Sequence, residues 1–276
     1  MPHFLRLAFV LGGFLAICSA NGLARAADVE DLYRSQTIVT GQGEPNRQAG
    51  FKICLDAVLV RVSGDQRLLA KPELTALRDK AGSFVTGFRY RDRMEGIPVH
   101  DEQGTHDRPH DLFCQYTPAT IDPVLASLGS KPWLAERPTL SVVLAVDDSR
   151  RHFVLANDGD ENPYMIESFQ SAADPMAMSI VVPNKATLAK AGLTFEEVGP
   201  ISPELLGSVA RSIGSRQVLG GSLMWSDKEL GWIADWRLAM AGKTYQWQVR
   251  GVSFDEAFRV AVKGAAQILS GNGQPE

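Results

Sequence analysis

Reactive signatures are missing from these 276 residues. There is no Gly-x-Ser-x-Gly, no His-Glu-x-x-His, no Cys-x-x-Cys and no glycine-rich loop ending in Lys-Ser or Lys-Thr. The familiar nucleophile elbow, zinc-peptidase helix, redox dithiol and phosphate cradle are therefore not encoded, since each needs its residues at fixed spacing. Cysteine is scarce, at 3, and so is histidine, at 5. Positive charge is not in excess: 28 Lys and Arg face 32 Asp and Glu, a net charge of −4. That argues against nucleic acid as a partner, because a phosphate backbone selects basic surfaces. Beyond the first segment no apolar run approaches the roughly 20 residues that a helix needs to cross a bilayer.

What the chain does have begins at its amino terminus. Arg6 supplies a fixed positive charge, Leu7 to Cys18 carry none, and Ala24-Arg25-Ala26 sets small residues at the positions a signal peptidase reads. Residues 1–26 are expected to be a cleavable signal peptide, cut after Ala26, which sends the mature protein to the periplasm. Lipid attachment at Cys18 is disfavoured by Ile17, too large for the small position before a lipidated cysteine. Cleavage removes Arg6 and Arg25, leaving 26 basic residues against 32 acidic ones. It also removes Cys18 and leaves Cys54 and Cys114, an even number in a compartment where disulfides persist. Either these two bridge, or each fills a core position as a small hydrophobe; spacing does not decide between them.

Hydrophobic periodicity then divides the mature chain. Leu32 to Val39 is extended, and Phe51, Cys54, Leu55, Val58, Leu59 and Val62 recur at helical spacing up to the Ser63-Gly64-Asp65 stop. A second, more polar helix opens at Pro72. Phe84 to Tyr90 and Leu112 to Tyr116 read as two strands of a hairpin with a long charged arm, and Asp122 is expected to cap the next helix. After Arg137-Pro138, the apolar and β-branched run Thr139 to Val146 suits a strand buried on both faces. Helical patterns at 163–173, 185–191 and 203–213 alternate with strand candidates at 178–182 and 217–225. Trp232, Ala234, Trp236, Leu238 and Met240 share one strand face, the alternation resumes at Tyr245, and Ser253-Phe254-Asp255-Glu256 opens a last amphipathic helix.

The expected fold is α/β of the α+β kind: two small mixed sheets each covered by helices, with a C-terminal three-stranded Trp-rich meander and a final helix. The divisions are an N-terminal α+β subdomain at 27–132 with a charged hairpin at 91–111, a C-terminal α/β subdomain at 133–270, and a disordered tail at 271–276. Several segments, in order, carry a resemblance: Val58-Leu59-Val60-Arg61-Val62-Ser63-Gly64-Asp65, Leu128-Gly129 with Pro132-Trp133, Arg137-Pro138 before Leu140 to Val146, and Leu219-Gly220-Gly221. On these the chain resembles the exported bacterial family described only as domain of unknown function 2066. That resemblance implies a fold and a compartment, and no activity.

Three constellations could carry chemistry. Within the arm 92–111, His100-Asp101, His106-Asp107 and His110-Asp111 repeat two ordinary ligand types for zinc and similar divalent metals, though at no established ligand spacing. The plain alternative is a solvated hairpin whose acids pair with Arg91, Arg93 and Arg108; an interaction surface lies between the two. Trp225, Trp232, Trp236, Tyr245 and Trp247, with Trp232, Trp236 and Trp247 foremost, would offer an aromatic surface for sugar rings if they faced outward, and would pack beneath the last helix if they did not. Asp147-Asp148, at the end of the central strand, is either an acid pair or an ordinary turn. With no catalytic motif and no cofactor signature, a non-enzymatic binding or scaffolding protein of the cell envelope is expected, its partner an envelope protein or cell-wall component. A metal-dependent periplasmic hydrolase built on the arm is the alternative, and glycan binding through the tryptophans a third.

Overall fold

The computed structural model describes residues 29–97, 107–160, 163–199 and 202–275. After the short helix α1 (Val29–Leu32) comes strand β1 (Arg34–Thr40), then the long helix α2 (Glu44–Ser63). α2 leaves the extended Gly43, takes Pro45 in its first turn and stops where Gly64 turns left-handed at φ 72°, its N–H donating to the Val60 carbonyl. A short helix α3 (Glu73–Arg78) leads to strands β2 (Gly87–Asp92) and β3 (Pro109–Gln115) and then to α4 (Pro118–Ser127). The three strands pair in the order β1-β3-β2, both pairs antiparallel. Cys54, Leu55, Val58, Leu59 and Val62 of α2 bury one face of this sheet together with Leu112 and Cys114.

Two expectations change here. The first sheet is wholly antiparallel, so only the second of the two helix-covered sheets is mixed. The fourth helix begins at Pro118, not at Asp122: Thr117 and Thr120 form a reciprocal capping box, while Asp122 accepts the Tyr33 hydroxyl at 2.8 Å.

The second sheet starts with β4 (Leu140–Asp147), buried along nearly its whole length, and β5 (His152–Val154). Helix α5 (Pro163–Ala173), strand β6 (Ile180–Val181) and helices α6 (Lys185–Lys190), α7 (Phe195–Val198) and α8 (Pro203–Ser212) follow. Then come the meander β7 (Gln217–Ser226), β8 (Gly231–Met240) and β9 (Lys243–Val252) and the final helix α9 (Phe254–Leu269). The strand order is β5-β4-β7-β8-β9, with β6 beside β4; β4 runs parallel to β6 and β7, and the meander is antiparallel. Side-chain alternation explains why β4 has no polar face. Val142, Leu144 and Val146 point to the α5/α9 side, and Val143 and Ala145 to the side of α6, α7 and α8.

The two sheets meet in a seam rich in main-chain contacts. The Trp133 N–H donates to the Val62 carbonyl at 2.8 Å, and Asn272 Nδ2 donates to Ser63 O at 3.0 Å. Arg61 Nη1 reaches the Asp174 carbonyl at 2.5 Å; Arg137 gives Nη2 to Arg61 O at 2.5 Å and Nη1 to Met176 O. Burial pushes both guanidinium groups below the ordinary arginine value. In the segment 271–275, Asn272 makes the bond to Ser63 just given, and Gln274 O accepts from Gln267 Nε2 at 2.8 Å.

Candidate functional site

Alternation along β3 separates the two residues at the base of the charged arm. His110 faces α2 and is buried, its Nδ1 2.8 Å from Arg108 O and its Nε2 3.0 Å from Gln42 Nε2. A proton on Nδ1 satisfies both bonds. Asp111 faces the opposite side, where Arg91 grips it through Nε at 3.0 Å and Nη2 at 2.6 Å, with Arg93 at 3.6 Å. One ion therefore cannot take both. Asp107 is exposed and lies against Gly41, and Arg108 pins the arm's base through Asp92 at 3.1 Å and the carbonyls of Met94 and Ile97. His100, Asp101 and His106 lie outside the described residues. Among the described residues no three His, Cys, Asp or Glu side chains come together as a metal would require.

The side of the first sheet turned away from α2 has a different character. Register places Gln36, Phe113 and Arg89 in one row across the three strands, and Ile38, Asp111 and Arg91 in the next. Arg34, Arg89, Arg91 and Arg93 are all exposed there, and Ile38 is 52% exposed. Arg89 stacks its guanidinium 3.7 Å from the Phe113 ring centroid, and Arg91 lies 5.7 Å from the same ring. Arg34 is paired with Asp31 and Arg91 with Asp111, whereas Arg89 has no carboxylate within ion-pair distance among the described residues. Where this face meets the second sheet's loops, a cleft of about 430 Å³ is lined by Arg34, Gln36, Arg61, Arg89, Phe113 and Asp174. The sequence signal is present in Arg89, Arg91 and Arg93 at alternate positions; Arg91 and Arg93 pair with Asp111 of the arm, and Arg89 is the one that the pairing does not reach.

Of the tryptophans expected to form a surface, Trp236 is fully buried and Trp247 nearly so; Trp232 is part-buried. Trp236 packs edge-on to Phe169 and Phe258 under α9, and Trp247 donates Nε1–H to Val260 O at 3.3 Å. Those two therefore belong to the core, because α5 and α9 cap the face that they share. Trp225, the first of the aromatic set, is 38% exposed and meets Trp232 edge-on at 5.6 Å. Both border an open cleft of about 850 Å³ with Asp148, Ser149, Arg150, Arg151 and Asp227. Asp147 and Asp148 make a turn: they accept the backbone N–H groups of Ser149, Arg150 and Arg151, and hydrogen bonds from Arg151 hold the Asp148 carboxyl below its ordinary pKa.

Cys54 of α2 and Cys114 of β3 are joined as a disulfide, with Cα atoms 6.4 Å apart. Both are buried in the first core, so the bridge and the packing role coincide.

The family model that matches the chain is a domain of unknown function, DUF8605, over residues 26–134. This overturns the resemblance to domain of unknown function 2066, whose short motifs, such as Val-Ser-Gly-Asp, recur too widely to identify a family. The matched stretch takes in the first sheet and its helices and none of the second sheet. No curated protein and no solved structure matches the chain.

Proposed function

We propose that this protein is exported to the periplasm after cleavage at Ala26 and works there as a non-enzymatic binding or scaffolding protein. Its recognition surface is the arginine face of the first sheet, and its partner is an acidic envelope protein or cell-wall component. The observation that carries this reading is Arg89: an exposed guanidinium stacked on Phe113, without a carboxylate among the described residues, in a chain whose net charge is −4. Basic groups gathered on one face of an acidic protein create a local field that attracts anionic partners and lets acidic ones dock in one orientation. The Cys54–Cys114 bridge supports an oxidising compartment. No described helix is long and apolar enough to cross a membrane.

The hydrolase reading draws less support. His110 and Asp111 are the described members of its ligand set best placed in the fold, and both are already committed on opposite faces. In-cell photo-crosslinking tests the binding reading. A photoreactive residue replacing Gln36 should give a discrete adduct, and the same probe replacing Arg259 on α9 should not. Equal capture at both positions, or none at either alongside substrate turnover by the purified protein, would contradict it.

A further inference from the structure

We propose that the cleft beside Trp225 and Trp232 binds a pyranose ring of a neutral glycan. It is separate from the arginine face and does not depend on it. β4 and β7 run parallel, and Asp147 pairs with Met224 in register, so both strands deliver their carboxyl ends to the same edge of the sheet. Ligands of open α/β sheets gather at that edge, because the loops leaving it can converge without disturbing the strands. The loop after β4 brings Asp148, Ser149, Arg150 and Arg151; the β7–β8 hairpin brings Trp225, Asp227 and Trp232.

The chemistry of this set suits a sugar better than an ion or an apolar ligand. Two carboxylates oppose two guanidinium groups, so the formal charge of the lining balances. Asp148 and Arg151 fix one another, with Nε and Nη2 at 3.0 and 2.7 Å from Oδ2, which holds an acceptor and a donor side by side at the rim. Asp227 accepts the Trp225 indole N–H at 2.8 Å and thereby sets the ring's tilt. An indole supplies a broad apolar face for the C–H side of a pyranose, while neighbouring polar groups bind its hydroxyls. The volume of about 850 Å³ lies within the roughly 300–1,000 Å³ of small-ligand sites. At the cleft Trp225 is 38% exposed and Trp232 beside it is part-buried, so an indole face is open to a ligand.

The test titrates the full chain with chitotetraose, cellotetraose and mannotetraose while following the indole N–H resonances. At least one should shift the Trp225 and Trp232 signals saturably, with a dissociation constant of about 1 mM or tighter. Trp225→Ala should weaken that binding at least tenfold, Trp225→Phe less, and Arg89→Ala not at all; near-ultraviolet circular dichroism reports whether each variant keeps its packing. The proposal fails if none of the three moves either resonance, or if binding survives Trp225→Ala undiminished. Should Trp225→Ala lose its packing, Asp148→Asn replaces it, and an unchanged affinity there is equally fatal.

Discussion

Arg137 carries a positive charge into the seam between the sheets, where its guanidinium bonds to the carbonyls of Met176 and Arg61 and lies 4.5 Å from the Trp133 ring centroid. Arg137→Ala would strand two carbonyls and remove the cation–π contact. It should destabilise the fold by about 3 kcal/mol, read as a lower urea midpoint. Tyr33 and Tyr116 offer a second residue-level test. Burial raises both phenols above the ordinary tyrosine value, and for Tyr33 the hydrogen bond to Asp122 adds to it. In a spectroscopic titration these two of the five tyrosines should ionise last, and urea should abolish the late phase. A raised pKa means that the folded state holds the proton more tightly. The stability it supplies is therefore complete below about pH 10 and is lost as pH rises into the range where the folded phenols ionise. At this scale the sequence was only half legible. Alternation puts Trp232 and Trp236 on one face, but whether a helix caps that face is a tertiary fact, and so the sequence does not tell the buried Trp236 from the exposed Trp225.

Helices and strands are more legible, because burial of one face forces a period that the sequence must obey. α2, β4, the meander and α9 follow their patterns closely, whereas β5 and α7 are too short, at 3 and 4 residues, to show any period. The bridge between α2 and β3 illustrates the limit: two cysteines 60 residues apart could pair or merely fill space, and only the packing of helix on sheet brings them together. Closing a loop of that length should contribute about 4 kcal/mol through the unfolded chain's lost entropy. Adding reductant should therefore lower the unfolding free energy by roughly that amount, and a Cys54→Ser, Cys114→Ser variant should match the reduced protein. The meander depends on a close approach instead. A Cβ on Gly221 would sit 2.5 Å from the Trp236 ring and 2.9 Å from Asp235 O. Gly221→Ala should cost at least about 2 kcal/mol in thermal or urea unfolding, since neither the indole nor the backbone can retreat.

For the whole molecule, the fold class was legible and the binding face was not. Strand and helix patterns together imply two helix-covered sheets, and the chain forms them. Which face of the first sheet stays open depends on where α2 packs and where the second sheet's loops come to rest, and no local period records that. The arginines of β2 are polar residues at alternate positions in sequence; in the fold they are the basic face of an acidic protein, and among the described residues Arg89 has no carboxylate partner while Arg34 and Arg91 are paired. The account's central claim is that this face binds an acidic envelope partner. Adduct yield from the photoreactive residue at position 36, compared between the otherwise unaltered chain and an Arg89→Glu background at equal expression, tests it most directly. At least a tenfold drop on charge reversal is the predicted result; an unchanged yield would contradict it.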